Sequence, residues 1–314
     1  MLLKPSAQRK TVRPIRRSAP LRPKTWSYHL MLFPGLLFII AFAYLPMAGI
    51  TIAFKEYIPA LGFFKSPWVG LENFKMMAVL PGIAQIFINT VSISSGEIVL
   101  LIVLPVILAL LLNEVRQMWY KRTTQTIIYM PHFISWVILA GMVLDLFALH
   151  GLVNQMLSVL GVKPINFMAS NVWFRPIVVG SFVWTQMGFD TIVYLAALTA
   201  ISPSLYEASA LDGATRWKQT VHITIPGMTP TIVLLSALSL GNLLNANFEQ
   251  VFLMYNPLVY PTGDIIQTWV YRTGLVNADF SLATAVGLLQ SLVGFILIVI
   301  SYRLANRFAN YRIF

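Results

Sequence analysis

Six stretches of the chain stay apolar long enough to cross a bilayer, at approximately 28–54, 86–112, 127–147, 177–200, 231–253 and 282–304. A hydrocarbon core about 30 Å thick needs about 20 such residues per helical span. Lipid offers nothing to hydrogen-bond an open backbone, so each run is expected to be helical. The pattern therefore predicts an all-α membrane protein with six transmembrane helices in one domain over 26–314. Pro105, Gly141 and Gly188 fall inside the runs and mark kinks or close helix contacts. In the first loop Trp68, Leu71, Phe74 and Met77 recur at helical spacing opposite Glu72, Asn73 and Lys75, the pattern of a helix lying along the membrane surface.

The polar stretches supply the orientation. Residues 1–25 carry eight Lys and Arg, no acid and four prolines, which predicts a basic disordered tail. The apolar run behind it exceeds the roughly 7–15 residues of a signal-peptide core, so it reads as a retained first span. Arg116, Lys121, Arg122, Arg216, Lys218, Arg303, Arg307 and Arg312 fall on the same side as that tail. Lys55, Lys65, Lys75, Lys163, Arg175 and Arg272 on the other side are largely offset by Glu56, Glu72, Asp264 and Asp279. Basic residues gather on the cytoplasmic side, so both termini are expected there.

Composition narrows the function. Of 314 residues 57% are hydrophobic and 11% charged, against about 25% charged in soluble domains. The net charge of +11 follows from span flanks and calls for no nucleic-acid partner. With no cysteine, disulfides, thiolate catalysis and cysteine-ligated metals are excluded, and His29, His132, His150 and His222 are too scattered for metal-ligand spacing. No metal, cofactor or catalytic residue is expected in this chain.

Ionisable residues within spans cost about 2.5–3.5 kcal/mol, so Glu97, Asp145, Asp190 and Glu249 should face the bundle interior, water or an interface. Asn242, Asn245 and Glu249 recur at three and four residues in the fifth run; Trp184, Gln186, Asp190 and Tyr194 do so roughly in the fourth. Amides and carboxylates suit hydroxyls, and aromatic faces suit the apolar side of a sugar ring, so these seven residues are the candidate path for a carbohydrate. Interhelical hydrogen bonding is the structural alternative.

Residues 202–230, SPSLYEASALDGATRWKQTVHITIPGMTP, form the loop between the fourth and fifth runs. Ser202 before Pro203 starts a helix, which runs through Leu211 and is stopped by Gly213; a second segment over 214–222 is expected to end before Pro226. Ala208, Ser209 and Ala210 leave room to dock in a groove, with Leu205, Tyr206, Leu211 and Trp217 as anchors. A surface helix pair that merely joins two spans fits equally well.

EASALDGA followed at fixed distance by ITIPGMTP resembles the EAA loop of binding-protein-dependent ABC importer permeases. WVGLENF, YMPHFISWVILAG and SLGNLLNANFEQVFLMYNP are similar to the carbohydrate-uptake branch, including permeases for alginate-like or pectin-derived chains. The resemblance implies a maltose-transporter-like permease fold in the bacterial cytoplasmic (inner) membrane. It also implies that Glu207, Ala208, Ser209, Ala210, Asp212, Gly213 and Ala214 couple to an ATP-binding subunit. The implied partners are a second permease, two ATP-binding subunits and an extracytoplasmic solute-binding protein. No GxxxxGK[ST] string occurs, so ATP and Mg belong to the partner. The rivals are a permease for a non-sugar solute, an ion-coupled secondary transporter using Glu97, Asp145 and Asp190, and a membrane-embedded enzyme.

Overall fold

Backbone polar groups in a bilayer must be satisfied within the segment, and the chain meets this with helices throughout. The computed structural model describes residues 25–309; the basic tail over 1–25 lies essentially outside them. Two compact units are distinguished, Met1–Gly49 and Ile50–Phe314. Among the described residues four helices are long and apolar enough to cross a membrane, and six spans result if each of two bent pairs counts as one. In chain order the principal helices are α1 (Tyr28–Phe54), α2 (Glu72–Val79), α3 (Ile83–Glu114), α4 (Met118–Phe133) and α5 (Trp136–Leu146). They continue with α6 (Leu152–Val159), α7 (Phe174–Thr199), α8 (Pro203–Leu211), α9 (Arg216–Gly241), α10 (Phe248–Met254), α11 (Ile266–Tyr271) and α12 (Phe280–Ala309).

Within the larger unit α3 packs along α7, and α9 along α12. At the end where residues 203–230 lie, Ala109, Tyr194, Leu198 and Met228 knit α3, α7 and α9 together. At the opposite end Ile93, Val143, Phe174, Val178, Val251 and Val259 form a larger core. Gly188 lets α7 approach α4: a Cβ there would lie 2.1 Å from the Ile128 carbonyl oxygen. Gly141 has nothing within 4 Å of that position, so it is not a contact glycine, and Pro105 sits inside an unbroken α3. Gly188→Ala is therefore expected to cost about 1–3 kcal/mol by overpacking. Gly141→Ala should be neutral or slightly stabilising; thermal midpoints of the purified protein in detergent check both.

Three expectations need correction. The third run is not one straight helix, because α4 and α5 meet at 101° where Ile134 and Ser135 leave helical geometry after Pro131. The fifth run is likewise not continuous over 231–253. Helix α9 ends at Gly241, and α10 begins only at Phe248. Asn242, Asn245 and Asn247 crowd this break, where short amides compete with helical backbone bonding. The Leu244 carbonyl there accepts from Gln267 Nε2 at 3.0 Å and Gln290 Nε2 at 2.8 Å.

Pro226 does not end the segment after Gly213. That segment is the start of α9, which passes Pro226 through a π turn over Thr220–Thr224. A wider turn relieves the clash between a proline ring and the carbonyl four residues back. The same device precedes Pro46 in α1, where the π turn covers Ile40–Tyr44.

Helix α2 buries Met77 of the expected apolar row, and Asn73 beside it. Asn73 is buried and donates to the carbonyls of Ala53 and Lys55, both at 2.9 Å, whereas Trp68 and Leu71 are exposed. Asn73 thereby supplies a donor to two buried-side backbone carbonyls. Lys55 is itself buried, with Nζ on the Phe63 carbonyl at 2.7 Å and over the Trp68 ring.

A polar network holds the segment between α10 and α12 against the bundle. Asp264 accepts from Arg272 Nη2 at 2.5 Å and Nη1 at 3.2 Å, and from Thr268 Oγ1 at 2.7 Å. Asn89 on α3 donates to the Asp264 carbonyl at 3.0 Å and accepts from Arg175 on α7. Gln250, fully buried on α10, donates to the Val178 carbonyl and to Ser181 Oγ on α7.

Candidate functional site

Two places gather the residues singled out in the sequence: the turn between α7 and α9, and a cavity within the bundle.

Helix α8 leaves α7 at 67°, starting at Pro203 with Ser202 as its N-cap residue. Proline at the first helical position loses no bond, because that N–H has no intrahelical partner. The helix stops at a Schellman motif: the Ala214 N–H donates to the Ser209 carbonyl at 2.9 Å and the Gly213 N–H to the Ala210 carbonyl at 3.1 Å. Gly213 has φ +78°, a left-handed conformation that favours glycine. Thr215 then caps α9, accepting from the Lys218 N–H.

The turn is fixed to α9 by side chains. Gln219, buried on α9, donates to Ser209 Oγ at 3.0 Å and to the Tyr206 carbonyl at 3.3 Å; the Tyr206 hydroxyl meets Thr224 Oγ1 at 3.0 Å. Ser209 and Tyr206 therefore face inward, and Tyr206 is not the exposed anchor its type suggests. Glu207, Ala208, Ala210, Asp212 and Gly213 are exposed, and Ala214 is half-buried. Leu205, Leu211 and Trp217 are exposed as well, Leu211 to 90%. A rigid short helix that turns bulky apolar side chains outward, beside small residues, is shaped to be covered by another protein.

In the bundle Asp190, Tyr194, Asn242 and Asn245 line a cavity of about 270 Å³ between α3, α7 and α9, together with Glu97 and Ser94. Glu97 is 4% exposed and Ser94 2%, and among the described residues Glu97 Oε1 and Ser94 Oγ have no hydrogen-bond partner. Asp190 and Tyr194 lie one turn apart on α7, and Asn242 and Asn245 in the break after α9.

The other three path candidates lie elsewhere. Six residues at about 100° each put Trp184 about 240° round α7 from Asp190. Gln186 is turned to α4, where Oε1 meets His132 Nδ1 at 3.0 Å. Glu249 is exposed in the first turn of α10, out of register because the helix breaks before it. Glu97 and Ser94 belong with the cavity, and the insertion cost of Glu97 was the signal for it. Among the described residues no three His, Asp or Glu side chains gather as a metal-ligating group.

Comparisons with known proteins cover most of the chain. The family model of the binding-protein-dependent transport system inner membrane component matches residues 101–310. Protein LplB of Bacillus subtilis (strain 168) is 43% identical over 291 residues, spanning 92% of this chain and 91% of that protein. The polygalacturonan/rhamnogalacturonan transport system permease protein YteP of the same organism is 41% identical over 283 residues, spanning 90% and 88%. A crystal structure of a bacterial ABC transporter involved in the import of the acidic polysaccharide alginate contains a chain that superposes with TM-score 0.84. That chain is 38% identical, with 90% of this chain and 96% of that chain covered.

Proposed function

This chain belongs to the family of binding-protein-dependent transport system inner membrane components, and from that premise we propose how it imports a carbohydrate. It is a permease of an ABC sugar importer, working with a solute-binding protein, as its relatives among oligosaccharide and polysaccharide permeases support. Helix α8 and the turn through Ala214 dock on a separate ATP-hydrolysing subunit that carries ATP and Mg. The observation that carries this reading is the outward apolar surface of a turn locked to α9 by Gln219, Ser209, Tyr206 and Thr224. A turn fixed so firmly transmits a push at α8 to α9, whose far end borders the cavity.

The assembly comprises this permease, a second permease in a heterodimer, two ATP-binding subunits and an extracytoplasmic solute-binding protein in the bacterial cytoplasmic membrane. The basic residues Arg116, Lys121, Arg122, Arg216 and Lys218 support a cytoplasmic α8 turn and cytoplasmic termini, on the side where ATP is. Asp190, Tyr194, Asn242 and Asn245 border the sugar's path, and differential ATP affinity biases outward against inward openings. In proteoliposomes holding both permeases, sugar uptake is expected only when ATP, the ATP-binding subunits and loaded solute-binding protein are all present. Uptake by the permeases alone under an ion gradient would contradict this function.

A further inference from the structure

We propose that the cavity between α3, α7 and α9 is a subsite for a single neutral sugar ring, and that Glu97 and Asp190 make it reject acidic sugars. The inference rests on the sugar-permease reading above and adds the charge class of the substrate.

The size sets the first limit. At about 270 Å³ the cavity is just below the roughly 300–1,000 Å³ of pockets that enclose drug-sized ligands, so its occupant is limited to a small unit such as one ring of a chain. The chemistry sets the second. A sugar hydroxyl donates and accepts, and the cavity offers both functions: carboxyls at Glu97 and Asp190, hydroxyls at Ser94 and Tyr194, amides at Asn242 and Asn245. Among the described residues Glu97 Oε1 and Ser94 Oγ, buried one helical turn apart on α3, have no partner, which is costly unless a ligand hydroxyl meets them. Phe182 adds an aromatic side chain for the apolar side of the ring.

A carboxylate on the sugar finds none of the compensation it needs. No Lys, Arg or His lines the cavity. His132 lies outside the lining, near enough to act electrostatically on Asp190; its Nδ1 meets Gln186 and its ring stacks on Phe189 with centroids 4.1 Å apart. An acidic ring would bring a third acid group beside Glu97 and Asp190, and the nearby imidazole, His132, is already directed at Asp190 from outside the lining. Relatives that handle acidic polymers show that the fold admits such substrates; the residues lining this cavity do not favour them.

The test compares a galactose trisaccharide with its galacturonate counterpart, which differs at C6. Both are titrated calorimetrically onto the purified complex of permeases and ATP-binding subunits, without solute-binding protein, so that only the membrane subunits select. The neutral sugar is expected to bind at least tenfold tighter, and Glu97→Gln together with Asp190→Asn to narrow that ratio. The wild-type ratio stands by itself should the variants fail to fold. Equal or tighter binding of the acidic sugar overturns the inference, as does a ratio that folded variants leave unchanged. Binding of neither sugar, while loaded solute-binding protein still drives uptake, overturns the subsite but leaves the permease intact. Failure of every saccharide to be taken up by the full assembly overturns the sugar reading itself.

Discussion

Gly213→Pro is expected to abolish sugar uptake and solute-stimulated ATP hydrolysis while leaving membrane insertion intact. Gly213 has φ +78°, and its N–H holds the Ala210 carbonyl in the Schellman motif. Proline fixes φ near −65°, removes that N–H and disfavours the near-helical conformation of Asp212 before it. The cost is about 3 kcal/mol or more at the turn, a factor of about 100 in the fraction held in the docking geometry. Gly213→Ala meets only the left-handed penalty of about 1–2 kcal/mol and should lose roughly tenfold. Glu207→Lys probes docking without folding, because Glu207 is exposed on α8. Stimulated hydrolysis is expected to be lost with normal expression. Normal stimulation in both Gly213→Pro and Glu207→Lys would refute the coupling role of α8.

Asp264→Ala is expected to be the most damaging change to stability. Asp264 is 5% exposed at its side chain and Arg272 26%, so the substitution leaves a half-buried guanidinium without its carboxylate. It also takes one acceptor from Thr268 Oγ1, which then keeps only the Ile265 carbonyl at 3.0 Å while still accepting the Ile265 N–H. Removing one partner of such a pair costs about 3–5 kcal/mol, a drop of roughly 10 °C in the thermal midpoint. Replacing both partners by Asp264→Leu with Arg272→Met removes the orphan charge and should recover much of the loss. Differential scanning of the detergent-purified variants reads the cycle; equal loss in the single and double variants would show that the pair acts by shape and not by charge.

How much of this the residues announce depends on what enforces each feature. The bilayer fixes a minimum span length, so four of the apolar runs locate their helices within a few residues, whereas the third and fifth do not, because bends and breaks leave no trace in hydropathy. Ile134 and Ser135 are as compatible with a straight span as with the 101° turn they make. The first half of the α8 turn is legible because its determinants are local: Ser202-Pro203 starts the helix and Gly213 ends it. Its continuation is not, because a π turn lets α9 run through Pro226. Asn73 illustrates the same limit on α2, where its bonds to two distant carbonyls are a contact that the amphipathic pattern does not announce.

The cavity was half legible for related reasons. Asp190 and Tyr194 sit one turn apart on an intact helix, so the helical period places them together. Asn242 and Asn245 reach the same cavity, yet from a break and not from a helical face. Glu249 is lost from the set by that break, and Trp184 by its angle around α7. Glu97 comes from a helix 90 residues earlier and was marked only by the expense of burying it.

The chain has no cysteine, which permits a direct test of where α8 docks. Leu211→Cys places one thiol at the exposed end of α8, and Val99→Cys places a control thiol on the exposed face of α3. With a short thiol-to-amine cross-linker in membranes holding the full importer, Leu211→Cys should join this chain to the ATP-binding subunit, and ATP should change the yield. Val99→Cys should give no such product. Equal labelling at both positions, or cross-linking of Leu211→Cys to anything but the ATP-binding subunit, would contradict α8 as the point where ATP hydrolysis meets the sugar's path.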